Sequence, residues 1–225
     1  MGINNTFVGR PSHEREDTSL KRLRVRALVS SRCKYRAASR IVVLSKFSFY
    51  AAVLFSLGLI FIPLYEQTHP CGPFSIGMLN MVEIFLASAV LVFSSVTGVA
   101  QFELRSFLLN KCGRELKNVA VQVDNRIGVD ETMQTYDRFL TEYTKIVEGA
   151  ENHTEADYRM ALLSMPDYYE ISKSRRLIYW FVTIILLVIP YLVPLCFIGL
   201  EMLFIFDALH LTTVLEILHD AKNCE

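Results

Sequence analysis

Three stretches of this chain run for about 20 residues with almost no charge, the length a helix needs to cross roughly 30 Å of hydrocarbon. The first is 41–64, "IVVLSKFSFYAAVLFSLGLIFIPL", with Lys46 as its one charge, close enough to an end to reach the headgroups. The second is 81–102, "MVEIFLASAVLVFSSVTGVAQF", with Glu83 near the other end. The third, 177–200, "LIYWFVTIILLVIPYLVPLCFIGL", has no charge at all. Helices suit a bilayer because they satisfy their own backbone groups. Pro190 and Pro194 interrupt the third stretch, and apolar residues continue past Glu201. A single kinked span, a re-entrant hairpin, or a span followed by an amphipathic surface helix all fit it.

Between the second and third stretches the pattern becomes amphipathic. Leu104, Leu108, Cys112 and Leu116 recur every four residues, with Phe107 and Val119 beside them. "DNRIGVD", 124–130, reads as a turn through Asn125 and Gly128. Met133, Tyr136, Leu140, Tyr143 and Val147 then form a short heptad seam that ends at Gly149. The two helices predict an antiparallel hairpin that buries its stripes internally or against a neighbouring subunit. "ENHTEADY", 151–158, follows. Asn152 and Glu155 have capping-box spacing, and His153 and Asp157, four apart, are placed to pair on a short helix that Pro166 stops.

The formal net charge is zero, but the bases crowd the start of the chain. Arg22, Arg24, Arg36 and Arg40 belong to the lead-in "LKRLRVRALVSSRCKYRAASR", which reads as a grip on anionic lipid heads with Leu20, Leu23 and Ala27 facing the bilayer. Tyr35 is its only aromatic residue, so stacking on nucleic acid is poorly supported. The loop "YEQTHPCGPFSIG" has no Lys or Arg, and bases return at Arg105, Lys111, Arg114 and Lys117. The positive-inside rule therefore puts the N-terminus and residues 103–176 in the cytoplasm. No cleavable secretory signal is visible. "MGINNT" matches the short N-myristoylation pattern.

Candidate chemistry is sparse. The five cysteines form no CxxC pair, so no zinc knuckle or thioredoxin motif is present. His153 with Asp157 lacks a nucleophile and further metal ligands, so the stretch reads as a structural joint. Asp207 and His210, with Glu201 and His219 nearby, are a metal set or, preferably, the polar edge of an interfacial helix. A third span would put Cys71 and Cys224 together in an oxidising compartment, where they could pair. Small residues of the second span include Ser88, Ser94, Ser95 and Gly98. Ser94 and Gly98 are four apart, as are Ala52 and Ser56 in the first span. Such spacing serves packing within one subunit or an oligomeric seam, and a ring of Glu83 side chains would favour cations.

The order of these pieces resembles a known family. A basic "RCKYRAASRI" precedes the first span, the second span runs into "RSFLLNKCGREL", and "YDRFLTEYTKIVE" leads to "NHTEADY". Across about 20–165 this looks like the SLATT proteins, small membrane effectors of bacterial conflict systems. It looks closest to the reverse-transcriptase-associated branch, with its signature at Asn152, His153, Asp157 and Tyr158. The resemblance implies an inner-membrane effector that oligomerises and permeabilises the bilayer when a sensor partner triggers it. That partner would be a nucleotide-signalling enzyme, a SLOG protein or a reverse transcriptase. The family description has two spans, so the third stretch is a departure.

The expectation is an all-α integral membrane protein with two to three spans and a cytoplasmic antiparallel helical hairpin. Residues 1–40 would be a basic segment, 41–102 a two-span hairpin, 103–176 the cytoplasmic region and 177–225 a third apolar segment with a tail. No catalytic residue, metal or cofactor is expected. The pore or seam candidates are Glu83, Ser88, Ser94, Ser95 and Gly98. The hairpin seam is Leu108, Leu116, Tyr136, Leu140 and Tyr143. A membrane scaffold that holds a cytoplasmic partner through 103–176 is the alternative.

Overall fold

The computed structural model describes residues 18–68, 74–166, 173–209 and 211. The expectations for the myristoylation pattern, Cys71, Cys224, His210 and His219 lie outside the described residues. Among the described residues six helices follow one another: α1 Ser19–Thr68, α2 Ile76–Ala100, α3 Phe102–Asp124, α4 Met133–Glu148, α5 Glu155–Leu163 and α6 Lys173–Ala208. Three stretches of helix, in α1, in α2 running on into α3, and in α6, are long and apolar enough to cross a membrane. The chain is an all-α membrane protein.

Local sequence sets the element ends. From Ser19 to Leu57, α1 meets neither glycine nor proline, so nothing interrupts its hydrogen-bond ladder. Ser75 and Thr132 cap α2 and α4 by accepting from Met78 N–H and Thr135 N–H, each at 3.4 Å. Gln101, with φ of 45°, separates α2 from α3. Gly128 takes φ of 78° in the turn before α4, where a side chain would be strained. Gly149 ends α4 in right-handed geometry, its N–H bonded to Lys145 O. Across Pro190 and Pro194, α6 continues as one helix to Ala208, so the re-entrant hairpin does not form.

The chain divides into two compact units. The first comprises the described residues of 1–42 and 102–188. Here α1 supplies a third wall to the α3–α4 hairpin. Leu20 and Leu23, 1% and 2% exposed, pack with Val119, Val123 and Phe139, and Tyr136, Leu140, Tyr143 and Ile146 close the edges. A second face of α1, with Val25, Val29 and Cys33, packs on Ala161, Leu162 and Met165 around α5. The bases Arg22, Arg26, Arg32 and Arg36 occupy the remaining, exposed face. Gly113 lets α3 approach α1: the Tyr35 ring lies 3.1 Å from where a Cβ would stand, and Ser31 Oγ donates to Gly113 O at 2.7 Å.

Two expectations are corrected here. Leu20, Leu23 and Ala27 face a protein core, not the bilayer, because the hairpin's stripes needed a third helix to cover them. At the start of α3, Leu104, Phe107 and Leu108 are exposed, Leu108 at 48%, and Phe102, Leu109, Cys112, Leu116, Val119 and Val123 are buried. A four-residue repeat drifts about 40° per step from a 3.6-residue helix. The buried face therefore passes through Leu109 rather than Leu108. Leu116 lies on it, and Met133 on α4 is exposed.

The second unit comprises the described residues of 43–101 and 189–225. Its core joins Phe55, Ile62 and Tyr65 of α1, Leu79 and Leu86 of α2, Phe74, and Phe204 and Ala208 of α6. Ring contacts set the register: Phe47 with Tyr191 at 4.9 Å, Phe55 with Phe93 at 5.5 Å, Phe85 with Phe197 at 5.2 Å and Phe74 with Phe204 at 4.7 Å. Within this unit α6 runs parallel to α1, and α2 runs opposite to both. Much of the apolar surface faces outward: Met81, Leu91 and Val99 are 70% exposed or more. Apolar surface on this scale requires lipid or other chains as its cover.

Candidate functional site

A polar cluster in the first unit is built on 151–158, between the end of α4 and the start of α5. Thr154, in extended geometry, is the N-cap of α5. Its Oγ1 accepts from Asp157 N–H at 3.4 Å, and Asp157 Oδ2 accepts from Thr154 N–H at 3.0 Å. This reciprocal pair is the capping box. It replaces the expected Asn152–Glu155 pair, because the helix begins two residues later than the sequence suggested. Asn152 and Glu155 are exposed, and Glu155 pairs with Arg159 one turn on.

Asp157 has a second function. It is 3% exposed, and Arg40 of α1 grips it bidentately, with Nε to Oδ1 and Nη2 to Oδ2 both 3.0 Å. Beside it Lys34, almost wholly buried, donates from Nζ to Glu151 O. The Glu151 side chain receives a second bidentate grip from Arg105 of α3, with Nε to Oε2 at 2.9 Å. The Arg105 guanidinium holds Glu151 below the usual carboxylate range, and Glu151 raises Arg105 in turn. Three bases from two helices thus fasten one short joint. Arg40 immediately precedes the first apolar stretch, and Arg105 is the first base after the second.

His153 does not pair with Asp157, which Arg40 and Thr154 already occupy. It precedes the α5 cap, its ring 6.2 Å from Tyr158 and its Nδ1 buried without a hydrogen-bond partner. Burial, and then the Lys34 ammonium, hold its pKa below 6.5 against the opposing pull of Asp157. The arrangement neutralises charge and fixes a helix start. Among the described residues no group of three or more His, Cys, Asp or Glu is placed to hold a metal ion.

Of the other candidates, Arg24 pairs with Asp124 at 2.9 Å, and Arg22 and Arg36 are exposed. On α2 Ser88, Ser94, Ser95 and Gly98 are exposed, Glu83 is half-buried, and nothing lies within 4 Å of a Cβ built at Gly98. Glu201 and Asp207 of α6 are buried, so they are not the polar edge of a surface helix. Sequence reasoning assigned Glu151 and Thr154 no role, and Lys34 and Arg105 only that of flanking bases. The Thr-x-x-Asp spacing at Thr154 was the one local signal for the cap. Glu201 and Asp207, two acids within an apolar run, were the signal for buried carboxyl groups.

Neither curated proteins nor solved structures give a match. A family comparison matches residues 16–205, which include the basic lead-in, the joint and nearly all of α6. The chain belongs to the SMODS and SLOG-associating 2TM effector domain family 5.

Proposed function

We propose that this protein is the membrane effector of a bacterial conflict system, multi-pass in the inner membrane with its N-terminus in the cytoplasm. It acts by assembly rather than catalysis. A partner, a SMODS or SLOG protein or a reverse transcriptase, triggers it, and copies associate through α2 to open a pore or disrupt the bilayer. The observation that carries this reading is the uncovered small-residue face of α2. Ser88, Ser94, Ser95 and Gly98 lie on the surface of the single chain, where a second helix can approach closely. Glu83 on the same helix would then supply a ring of acids to the assembly.

The scaffold reading draws less support. Tyr136, Leu140 and Tyr143, the residues it would use to hold a partner, pack on Leu20, Leu23 and Phe139 of the same chain. The test is membrane potential, followed with a voltage-sensitive dye in bacteria that make the protein alone and then with its genomic neighbours. Depolarisation that disappears in Gly98→Leu or Glu83→Gln variants, with insertion unchanged, supports the effector. A potential that holds in both settings, with the protein inserted, rejects it.

A further inference from the structure

Among its described residues, the second unit holds a carboxyl group with no counter-charge. Glu201 of α6 is 5% exposed; neither side-chain oxygen makes a hydrogen bond of good geometry, although the Gly58 backbone lies beside the carboxyl group. Its carboxyl group lies in a notch that exists because residue 58 of α1 is glycine. A Cβ built there would collide with Glu201 Oε1 and stand 3.0 Å from Leu86 Cδ1 of α2. The notch therefore lies where all three helices of this unit meet.

Among the described residues no ion pair reaches this acid. From Phe47 to Tyr65, α1 carries no charged residue. Tyr65 lies two turns beyond Gly58. The titratable group of α2 closest along the helix to Leu86 is Glu83, a further acid. On α6 itself Asp207, another buried acid, and Cys196 flank Glu201 along the sequence. Transferring an isolated carboxylate from water into such surroundings is far more unfavourable than transferring the neutral acid. A metal ion would need several oxygen ligands, and among the described residues no group of three or more His, Cys, Asp or Glu is placed to hold one.

We infer that the Gly58–Glu201 notch is a proton-binding site within the membrane, where the acid, when protonated, fastens α6 to α1 and α2. When the O–H bond breaks, the proton leaves to water and the charge stays behind on Glu201. The carboxylate must then gain water, and α6 shifts from Gly58 to admit it. The site responds to proton availability, whatever the protein does to the bilayer.

Infrared spectroscopy tests this directly, on the full chain in phosphatidylethanolamine–phosphatidylglycerol vesicles. The wild type should show, at neutral pH, a protonated-carboxyl C=O band that is lost in Glu201→Gln. Gly58→Ala, which keeps the acid but fills its notch, should also lose the band at that pH. Raising the pH should remove it from the wild type and increase hydrogen exchange in α6, and Glu201→Gln should show no such increase. Identical carboxyl bands in wild type and Glu201→Gln at neutral pH would overturn the proposal, and so would a band that Gly58→Ala leaves unchanged. A band abolished by exchanging potassium for sodium at constant pH would also overturn it, by identifying a metal cation as the occupant.

Discussion

Arg40 and Asp157 meet through two parallel hydrogen bonds of 3.0 Å, although they stand 117 positions apart in the chain. One carboxylate thereby closes the cap of α5 and fastens that helix to α1. Removing either partner leaves more than a broken surface pair, because Asp157 is buried. Arg40→Ala should destabilise the chain by about 3 kcal/mol, within the range for orphaning one member of a buried pair. Arg40→Lys should recover only part of this, because an ammonium lacks the planar fork. Urea unfolding of the detergent-solubilised chain, followed by helical circular dichroism, measures both.

His153 should make stability depend on pH. Its folded pKa lies below 6.5, so between the two values the unfolded state binds more protons. Stability should fall as pH drops through about 6.5 and level off below the folded value. In His153→Phe that part of the slope should vanish. A wild type and variant with parallel profiles between pH 7 and 5 would contradict it.

Two leucines on α3 should behave oppositely. Leu116 is buried, so Leu116→Ala should cost about 2–5 kcal/mol. Leu108 is exposed, so Leu108→Ala should stay within about 0.5 kcal/mol in the monomeric, detergent-solubilised chain. The same unfolding assay separates them.

Burial pushes the Cys33 thiol up to about 12, with Asp157 adding to the effect, and burial also raises Cys112. The thiolate is the reacting form. A water-soluble maleimide at neutral pH should leave both unlabelled in the folded chain and label both in urea, as mass spectrometry of peptides would show.

Much of the architecture was readable because its signals are local. Some twenty residues with at most one charge announce a span, and Asn125 with Gly128 announces a turn. The helix pair after the second span followed from stripes at Leu116 and Tyr136. What could not be read was which surface each stripe would meet. Leu20 and Leu23 sit among arginines, a pattern that serves a bilayer surface as well as a protein core. Only the presence of α3 and α4 beside them decides for the core. The joint was visible as a concentration of polar groups, but Asp157 was assigned to His153 by its spacing. Its partner, Arg40, lies on another helix, and no sequence period connects them.

Gly58 and Glu201 share one small volume, so a methyl group at the first and a carboxyl at the second exclude each other. Neither position can drift alone. Among relatives that keep this packing, a larger residue at the first position should come with a shorter or apolar one at the second. The pair should vary as a unit, even though 142 intervening residues are free to change around it.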